Sequence, residues 1–310
     1  MNDSDNLNAK AYIHPLPDST IKAPPCFTSM MNIDFGALSH VGKVRKNNED
    51  HYLIMRLGRV IEPLMTNVPA EDLPTNLAEY GYGMLVADGM GGHAAGEVAS
   101  RMATTLLINL IVEAGKWGSR IDDKEAKAVM QRIEGYYNAI HTALLQQAES
   151  EPSLVGMGTT LTVSYSFCAN HFIGNVGDSR AYLFREGGLN RLTRDHTLAQ
   201  EMADRGEIAP EAVKSHRFRN ILTNALGGHW GPVEIDIQQL LLKENDRILL
   251  CSDGLTDMIE DETITGVLNR TEDSNAACHE LVDLALEAGG RDNITVVLAR
   301  YSFPENTQDT

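Results

Sequence analysis

Two apolar runs along the chain end in the same way, each with an Asp-Gly pair. They are YGMLVADG at 82–89 and RILLCSDG at 247–254. A short apolar run bounded by glycine is typical of a buried β-strand. The aspartate that ends such a strand lies where the strand leaves the core. The pattern therefore predicts two buried strands that carry Asp88 and Asp253 to the edge of a sheet.

Other runs rich in β-branched and aromatic residues predict the remaining strands. Three of them follow one another closely and are separated only by short turns, which is typical of successive antiparallel strands. The predicted strands cover 31–38, 51–57, 159–167, 171–177, 180–185 and 293–301.

A helical period of apolar residues follows the first Asp-Gly pair. Val98, Met102, Leu106 and Leu110 recur every four residues, which predicts a helix with one wide buried stripe. Further helices are expected at about 123–149, 197–206 and 274–288. Because strands and helices fall in separate blocks, we expect antiparallel sheets covered by pairs of helices.

The same pattern divides the chain into segments. Residues 1–30 are polar, contain four prolines and show no sustained period, so they are predicted to be a flexible leader. Residues 31–303 form the predicted single domain. Within it, 58–79 is expected to be a surface insertion. The segment 195–232 is mixed in character and rich in glycine and histidine, and 304–310 is a tail.

Charge excludes some classes of partner. The chain has 310 residues with 43 Asp and Glu against 26 Lys and Arg, a formal net charge of −17. Such a chain is not expected to bind nucleic acid or an anionic membrane non-specifically. No segment was expected to reach the ~18 apolar residues of a membrane helix. The first residues also lack the pattern of a signal peptide.

The four cysteines show no paired spacing. Cys26, Cys168, Cys251 and Cys278 form no CxxC motif, and all four are expected to be free thiols in a reducing compartment. These features together predict a cytoplasmic protein.

Acidic residues recur in five short motifs that end or begin strand-like segments. Carboxylates brought together from several of them would repel one another, so the motifs predict a cation site. Hard oxygen ligands select Mg²⁺ or Mn²⁺ over zinc. The motifs are VRKNNED at 44–50, LVADGMGGH at 85–93, GNVGDSRAY at 174–182, LLCSDGL at 249–255 and GGRDN at 289–293.

With GTTLT, LTRDHT and RDNITVV, these motifs resemble the PPM-type, metal-dependent protein serine/threonine phosphatases, also called protein phosphatase type 2C. The resemblance runs from about Gly36 to Tyr301 in the family's order, and DGMGGH is similar to the bacterial members. It implies an α+β fold: a four-layer α-β-β-α sandwich of two antiparallel sheets flanked by helix pairs. It also implies that 195–232 is a flap beside the site.

The resemblance implies a role for each acidic residue. Asp88 would bridge two metal ions, and the Gly89 carbonyl would be a further ligand. Asp253 and Asp292 would complete the first metal site. A simpler role stays open for each of these residues: a turn for Asp88 and Asp292, and a helix N-cap for Asp253.

The remaining metal-site residues are also assigned by resemblance. Glu49 and Asp50 would be the acidic pair that holds metal-bound water, and an ordinary solvated turn is the alternative for this pair. Asn293 would support the site from behind, as a turn or outer residue. Asp178 would bind a third, weaker ion with Asp253, although aspartate is common in such turns anyway.

Two basic residues complete the expected site. Arg45 matches the phosphate-binding arginine of the family, since a guanidinium can fork onto two phosphate oxygens. A surface salt bridge from Arg45 to Glu49 is the alternative. His93 is a candidate general acid because of its pKa range. It is equally consistent with an ordinary histidine at a helix start, because this chain has Met90 where some relatives carry histidine.

The implied activity is hydrolysis of phosphoserine and phosphothreonine in proteins by a hydroxide that bridges two Mn²⁺ or Mg²⁺ ions. The expected partners are phosphorylated proteins and a cognate kinase, and the chain is expected to act as a monomer in signalling. Three alternatives stay open: an inactive phosphopeptide-binding relative, a hydrolase of small phosphoesters, and a partner-switch phosphatase.

Overall fold

The computed structural model describes residues 11–13, 31–60, 65, 78–91, 95–114, 123–228 and 231–303. Predicted positions outside these ranges include His93, most of the leader, 61–64, 66–77 and the tail. The strands of the described residues are β1 Ala11–Ile13, β2 Asn32–His40, β3 Asp50–Val60, β4 Ala78–Met90, β5 Gly158–Thr159, β6 Leu161–Phe167, β7 Asn170–Val176, β8 Arg180–Arg185, β9 Gly188–Arg191, β10 Leu226–Gly227, β11 Ile235–Leu241, β12 Arg247–Cys251 and β13 Ile294–Ser302.

Six α-helices accompany these strands in the described ranges. Two begin at a capping side chain: Thr197 accepts a hydrogen bond from the Gln200 N–H at 3.3 Å, and Asp273 accepts one from the Ala276 N–H at 2.7 Å. The helices are α1 Ala95–Ala114, α2 Asp123–Ser150, α3 Leu198–Asp204, α4 Asp253–Thr256, α5 Asp261–Arg270 and α6 Ser274–Glu287.

The strands form two sheets. The larger sheet has the order β1-β11-β7-β6-β4, with β3 on the free side of β4 and the short pair β5 and β10 beside its end. The smaller sheet has the order β2-β13-β12-β8-β9. All pairs in both sheets are antiparallel except that of β1 with β11.

Alternation along the strands builds the layers. In β4, Leu85 and Ala87 belong to the core beneath α1 and α2, whereas Met84 and Val86 belong to the core between the sheets. This period of two is what strand geometry requires. In β12 the same alternation places Leu249 under the helices of the smaller sheet.

Helices cover both outer faces. On the larger sheet, α1 contributes buried Ala99, Ala103 and Leu107. On the smaller sheet, α5 and α6 contribute residues such as Val267 and Leu281. The four-layer α-β-β-α sandwich predicted from the sequence is therefore confirmed, although α5 and β11 were not predicted as separate elements.

Two expectations drawn from composition need correction. Cys168 is disulfide-bonded, whereas Cys251 and Cys278 are free and buried. Pairing of distant cysteines depends on tertiary geometry, which spacing along the chain does not show. The argument for a reducing compartment from cysteine usage is therefore lost.

The second correction concerns α1. Among the described residues, α1 is a helix that is long enough and apolar enough to cross a membrane by length and composition alone, with 20 residues and a mean hydropathy of 1.2. Its apolar residues, among them Ala103 and Leu107, pack in the core against the larger sheet. This is the packing expected of a core helix.

Candidate active site

The first two site carboxylates face each other across a strand pair. Asp50 begins β3 and Asp88 lies near the end of β4, and the antiparallel register places them directly opposite each other. The Asp88 N–H donates to the hydroxyl of Thr160 at 2.9 Å, and its carbonyl accepts from the Thr160 N–H at 2.9 Å. These bonds fix the end of β4, and the Asp88 side chain is only partly exposed.

The next two carboxylates come from the smaller sheet. Asp253 is the first residue of α4, immediately after β12, and Ser252 is the N-cap. Asp292 lies in the turn that precedes β13, which pairs with β12. The Asp-Gly turn and the GGRDN turn thus lie at the same edge of one sheet, beside the edge that carries Asp50 and Asp88.

The four carboxylates form one electrostatic cluster. Burial raises the pKa of Asp88 well above its usual value, and the charges of Asp50, Asp253 and Asp292 raise it further. Burial likewise raises the pKa of Asp253, with Asp292 among the charged causes. The pKa of Asp50 is raised to about 6, mainly by burial. Such a cluster is stable in its charged form only beside cations.

Two carboxylate oxygens in the cluster lack partners. Asp50 Oδ2 accepts from the Ser252 hydroxyl at 2.7 Å, but Asp50 Oδ1 and Asp253 Oδ1 are buried and without a hydrogen bond among the described residues. A buried carboxylate oxygen without a partner is costly. A bound cation would satisfy both atoms.

The donor set fits a hydrated divalent ion. Within the described ranges, no three His, Cys, Asp or Glu side chains converge closely enough to form a protein-only metal cage. Mg²⁺ keeps several waters and binds through one or two carboxylates, and Mn²⁺ also favours carboxylate and water. An open set of carboxylates therefore suits these ions better than a closed cage would.

Arg45 lies at the cluster. Its guanidinium donates to Asp292 Oδ2 at 2.6 Å, and its side chain is 54% exposed. The hydrogen bond to Asp292 is the main cause that raises the pKa of Arg45. The salt bridge considered from the sequence was to Glu49, but the observed partner is Asp292. The exposed guanidinium leaves donors for a ligand at the cluster.

Glu49 occupies a different position from Asp50. Burial raises its pKa, and the charge of Arg45 opposes that shift. Its backbone carbonyl accepts from the Gly89 N–H at 3.2 Å. A Cβ at Gly89 would lie 2.2 Å from the Gly96 carbonyl oxygen, so glycine is required where β4 meets α1.

Asn293 holds the loop that carries Arg45 and Glu49. Its side-chain Oδ1 accepts from the Glu49 N–H at 2.8 Å. Its Nδ2 donates to the carbonyls of Val41 at 3.0 Å and Asn47 at 2.9 Å. The side chain is 4% exposed. Asn293 thus fixes the loop 41–49 against the smaller sheet, in agreement with a supporting position.

Asp178 lines a neighbouring cleft. Burial, together with the charge of Asp195, raises its pKa to about 7. The cleft has an empty volume of about 390 Å³ and is also lined by Asp253, by Asp257 and by five residues of the 195–232 segment: Asp195, Val213, Lys214, Arg219 and Asn220. Asp178 and Asp253 therefore face the same space.

His196 lies at the start of the segment 195–232 and contacts the turn that carries Asp178. Its Nδ1 is 3.1 Å from the Gly177 N–H, which donates to it, and 2.9 Å from Asn224 Nδ2. Its Nε2 is 3.2 Å from Asp236 Oδ2. Because Gly177 immediately precedes Asp178, His196 fixes the turn that carries Asp178.

Sequence reasoning missed several supporting residues. Ser252 and Thr160 bond to the site carboxylates or their backbone, and His196 fixes the turn before Asp178. All three lie in motifs that were noted, CSDGL, GTTLT and LTRDHT, but no role was assigned to them. The partners are far away in the sequence, and for Ser252 and Asp50 the separation is 202 residues. His93 lies outside the described residues, so its role stays a prediction.

The free cysteines are not suited to nucleophilic attack. Burial raises the pKa of the Cys251 thiol to about 12 and that of the Cys278 thiol to about 12. The thiolate is the reactive form, so both residues are inert at neutral pH.

Comparison with known proteins agrees with this fold and site. Residues 82–294 match the family model described as protein phosphatase 2C. The serine/threonine protein phosphatase PstP of Mycobacterium tuberculosis is 42% identical over 217 residues, which cover 70% of this chain but 40% of PstP. The serine/threonine phosphatase stp of Listeria welshimeri is 36% identical over 226 residues, or 73% of this chain and 87% of that protein.

Solved structures give the same result. The catalytic domain of the serine/threonine protein phosphatase PstP, crystallised in complex with two manganese ions, superposes with a TM-score of 0.68 at 34% identity. The superposition covers 88% of this chain and 99% of that one. Fold and site define a protein with a divalent-cation centre between two sheets. The chain belongs to the protein phosphatase 2C family.

Proposed function

We propose that the protein hydrolyses phosphoserine and phosphothreonine in proteins and depends on Mn²⁺ or Mg²⁺. The observation that carries this proposal is the cluster of Asp50, Asp88, Asp253 and Asp292, with the exposed guanidinium of Arg45 bonded to it. Family membership and the manganese-containing PstP structure support the same activity.

Asp88, Asp253 and Asp292 are the proposed metal ligands, with the Gly89 carbonyl and Glu49 as further oxygen donors. When bound, the divalent ions would activate water and stabilise charge on the phosphoryl oxygens. Asp50 supports the site through its bond to Ser252, and Asn293 holds the Arg45 loop.

Arg45 is proposed to bind the substrate phosphate. A guanidinium offers paired donors that suit phosphate oxygens. Its present bond to Asp292 orients it at the cluster, and about half of its side chain is exposed, at 54%. His93 is retained as the proposed general acid. No protein nucleophile is needed, because water attacks the phosphorus and the free described cysteines are protonated.

Asp178 and Asp253 are proposed to hold a third, weaker ion. Both line the same cleft, and the charge of Asp178 is the neighbouring charge that most raises the pKa of Asp253. The cleft lies against the segment 195–232, which we propose is a flap beside the site.

The test is a metal-dependence assay on a phosphothreonine peptide. Chelation should abolish phosphate release, and added Mn²⁺ or Mg²⁺ should restore it. A single turnover in ¹⁸O-labelled water should place one solvent oxygen in the phosphate. Full activity in excess chelator, or a trapped covalent phosphoenzyme after acid quench, would overturn the proposal.

The same assay also tests the substrate class when it is run with a second set of substrates. Side-by-side turnover of phosphopeptides and nucleotides separates a protein phosphatase from a hydrolase of small phosphoesters. We expect the phosphopeptides to be preferred. Preference for nucleotides would assign the site to small phosphoesters, and metal binding without turnover of either would assign it to an inactive phosphopeptide-binding relative.

The wider setting is also part of the proposal. We propose phosphorylated proteins as substrates, a cognate serine/threonine kinase as the opposing enzyme, and a signalling role for a cytoplasmic monomer that binds neither nucleic acid nor membrane. The net charge of −17 supports the absence of polyanion binding.

A further inference from the structure

A group of exposed cations lies beside the site and has no place in the proposed chemistry. Lys43 and Lys46 lie on the loop 41–49, on either side of Arg45, and Arg291 immediately precedes Asp292. All three side chains are exposed. We call Lys43, Lys46 and Arg291 the basic rim.

The basic rim is not neutralised by the protein. Among the described residues, the side chains of Lys43, Lys46 and Arg291 form no salt bridge and no other electrostatic contact. The chain as a whole carries 43 acidic residues and 26 basic ones. Three cations stay unpaired next to the phosphate-binding arginine, although acidic side chains outnumber basic ones.

The opposite side of the site has a different arrangement. There, Lys214 is paired with Glu260, and Arg219 lies 3.5 Å from Asp257. Two cations of the flap side are therefore compensated by acidic partners, and a third, Arg217, stacks on the ring of Phe218. The three rim cations on the Arg45 side have neither kind of partner among the described residues.

The basic rim is also held in place. The Lys43 N–H donates to the Gly290 carbonyl at 2.7 Å, which joins the two segments of the rim. Asn293 Nδ2 donates to the carbonyls of Val41 and Asn47, on both sides of the two lysines. The backbone of the rim is thus preorganised, so a ligand would order only side chains.

An apolar contact lies within the same surface. Val44 stands between Lys43 and Arg45 and is 67% exposed. An exposed valine surrounded by cations suits a peptide that presents acidic residues with an apolar one among them. Such a peptide would run over the loop 41–49 while its phosphate lies at Arg45.

We propose that the basic rim is a docking surface for the acidic flank of a phosphorylated substrate. The substrate class is therefore phosphoserine or phosphothreonine segments with Asp or Glu beside the phosphorylated residue. This inference rests on the proposed phosphatase activity and names its substrate preference. The net charge of −17 repels acidic substrates from the molecule as a whole. The positive rim would offset this repulsion locally, beside the site, through charge complementarity.

The experiment uses the full chain with Mn²⁺ and matched phosphothreonine peptides. The peptides carry acidic, neutral or basic residues, placed either before or after the phosphothreonine. The acidic-flanked peptide should have the highest kcat/KM. Its advantage should fall as salt rises, since exposed charges are screened beyond about 10 Å at 0.1 M ionic strength.

The variant Lys43→Gln/Lys46→Gln/Arg291→Gln removes the rim without adding negative charge near the carboxylates. We expect kcat/KM for the acidic-flanked peptide to fall about fivefold relative to the neutral one, mostly through KM, as for loss of a few exposed pairs. The neutral-flanked peptide and the Mn²⁺ concentration for half-maximal activity serve as internal checks on folding and metal binding.

Lys127→Gln is the matched control. Lys127 is an exposed cation in the first turns of α2, and its neighbours Val129 and Arg132 line a cavity with Gly83 and Tyr165, at the far end of the strands from Asp88. This variant should leave the ranking of the peptides unchanged. Lys127→Gln changes the net charge by one unit and the triple variant by three. A loss from Lys127→Gln of about a third of the triple variant's loss, on a logarithmic scale of kcat/KM, would show that net charge, not the rim, sets the preference, and would overturn the proposal.

The failures are distinguishable. If the wild-type protein hydrolyses no phosphopeptide with Mn²⁺, the proposed function fails. If it hydrolyses all three flanks equally and the triple variant changes nothing, the docking surface alone is wrong. If the triple variant keeps its peptide kinetics but loses binding to single-stranded DNA or to phosphatidylglycerol vesicles, the rim binds those polyanions and the proposal is overturned.

Discussion

Asp88 lies in an environment that disfavours a charged carboxylate. Its pKa is raised by burial and by four other aspartates, so the metal-free cluster is poised to accept cations. We expect Asp88→Asn to lower kcat by on the order of 10²-fold or more, even with metal in excess, because a neutral amide is a poor bridge between cations. Loss of a residue that only hydrogen-bonds to a metal ligand already lowers metal affinity or activity by about 10–100-fold.

Measurement of kcat with an aryl phosphate across a Mn²⁺ titration checks this expectation. Circular dichroism should show that the variant folds, because the backbone bonds of Asp88 to Thr160 remain. Wild-type kcat at high Mn²⁺ would remove Asp88 from the metal site.

Arg45 separates phosphate binding from metal binding. Arg45→Ala should raise KM for a phosphopeptide by an amount equivalent to roughly 1.5–3 kcal/mol, the range for hydrogen bonds to charged groups. Metal affinity should change less, because a guanidinium cannot ligate a cation. Steady-state kinetics and calorimetric Mn²⁺ titration measure the two quantities, and an unchanged KM with weaker Mn²⁺ binding would contradict the assignment.

Residues of the site differ in how far the sequence identifies them. Asp88 and Asp253 were predicted because an apolar run ends at each, and Arg45 and Asp292 because their motifs match a family. Ser252 received no role because its partner, Asp50, is 202 residues away. The choice of Asp292 over Glu49 as the partner of Arg45 depends on how two turns meet in space, which local pattern does not encode.

At the scale of elements, the start of α4 depends on a close backbone contact. A Cβ at Gly254 would lie 1.9 Å from the carbonyl oxygen of Asn293, so alanine there must separate α4 from the turn that carries Asp292. We expect Gly254→Ala to destabilise the fold by several kcal/mol, as overpacking against backbone does, and to weaken Mn²⁺ binding.

Gly135→Ala is the matched control. Gly135 is exposed within α2, and nothing lies within 4 Å of a Cβ added there. The substitution should stabilise the protein by about 0.5–1 kcal/mol through helix propensity. Chemical denaturation measures both variants, and equal stability of the two would show that the tight contact at Gly254 relaxes without cost.

His196 offers a second test at this scale, because its two nitrogens have different partners. Asparagine can place an acceptor near Nδ1, whereas glutamine can reach toward Nε2. If the bond from Gly177 to Nδ1 positions the Asp178 turn, His196→Asn should keep Gly177 amide protection and peptide kcat, and His196→Gln should lose both about tenfold. Hydrogen exchange and kinetics compare them, and the reverse ranking would assign the role to Asp236.

Element boundaries followed the sequence where periodicity was strong. The predicted strand at 180–185 coincides with β8, and the predicted helices at 123–149 and 274–288 nearly coincide with α2 and α6. In contrast, α5 has only three buried residues, Ile264, Val267 and Leu268, in ten. Its amphipathic period is clear but extends over only ten residues, so the segment was not predicted as a separate helix. β11 was missed because it lies beyond the irregular segment 195–232.

At the scale of the whole molecule, the carboxylate cluster links stability to pH. Folding raises the pKa of Asp50 from 3.8 to about 6 and that of Asp178 from 3.8 to about 7. Between about pH 4 and 7 the folded protein therefore holds protons that the unfolded chain has released. By linkage, the contribution of these two carboxyls to the free energy of unfolding of the metal-free protein falls as pH rises through this range. Buried His171, whose pKa is lowered to about 3, opposes this trend below about pH 6.5, and the two carboxyls with their neighbours Asp88 and Asp253, whose pKa values are also raised, outweigh it.

We expect the melting temperature in chelator to be several degrees higher at pH 5 than at pH 7.5, since about 1 kcal/mol shifts it by ~2–4 °C in a domain of this size. With saturating Mn²⁺ the trend should reverse, because cations bind the charged carboxylates. Thermal scans at both pH values with and without metal measure this, and a chelated protein that is more stable at pH 7.5 would contradict the linkage.

The fold as a whole was predictable because every layer has its own period. Strands alternate between two cores, as Met84 and Leu85 show, and the helices carry stripes. The disulfide at Cys168 and the strand β1 inside the predicted leader were not predictable in this way. Both depend on single long-range contacts that leave no repeating signature.

The pairing of β2 with β13 has a consequence for the timing of synthesis. Asn32 lies opposite Ser302, so β2 waits for a strand that is made 270 residues later. Asp292 and Asn293, which complete the site and hold the Arg45 loop, emerge just before that strand. A ribosome-bound chain that has not reached them cannot be catalytically competent, however well its larger sheet has formed. The site is therefore completed only once β13 has been made, and a nascent chain that ends before β13 is expected to lack the proposed activity.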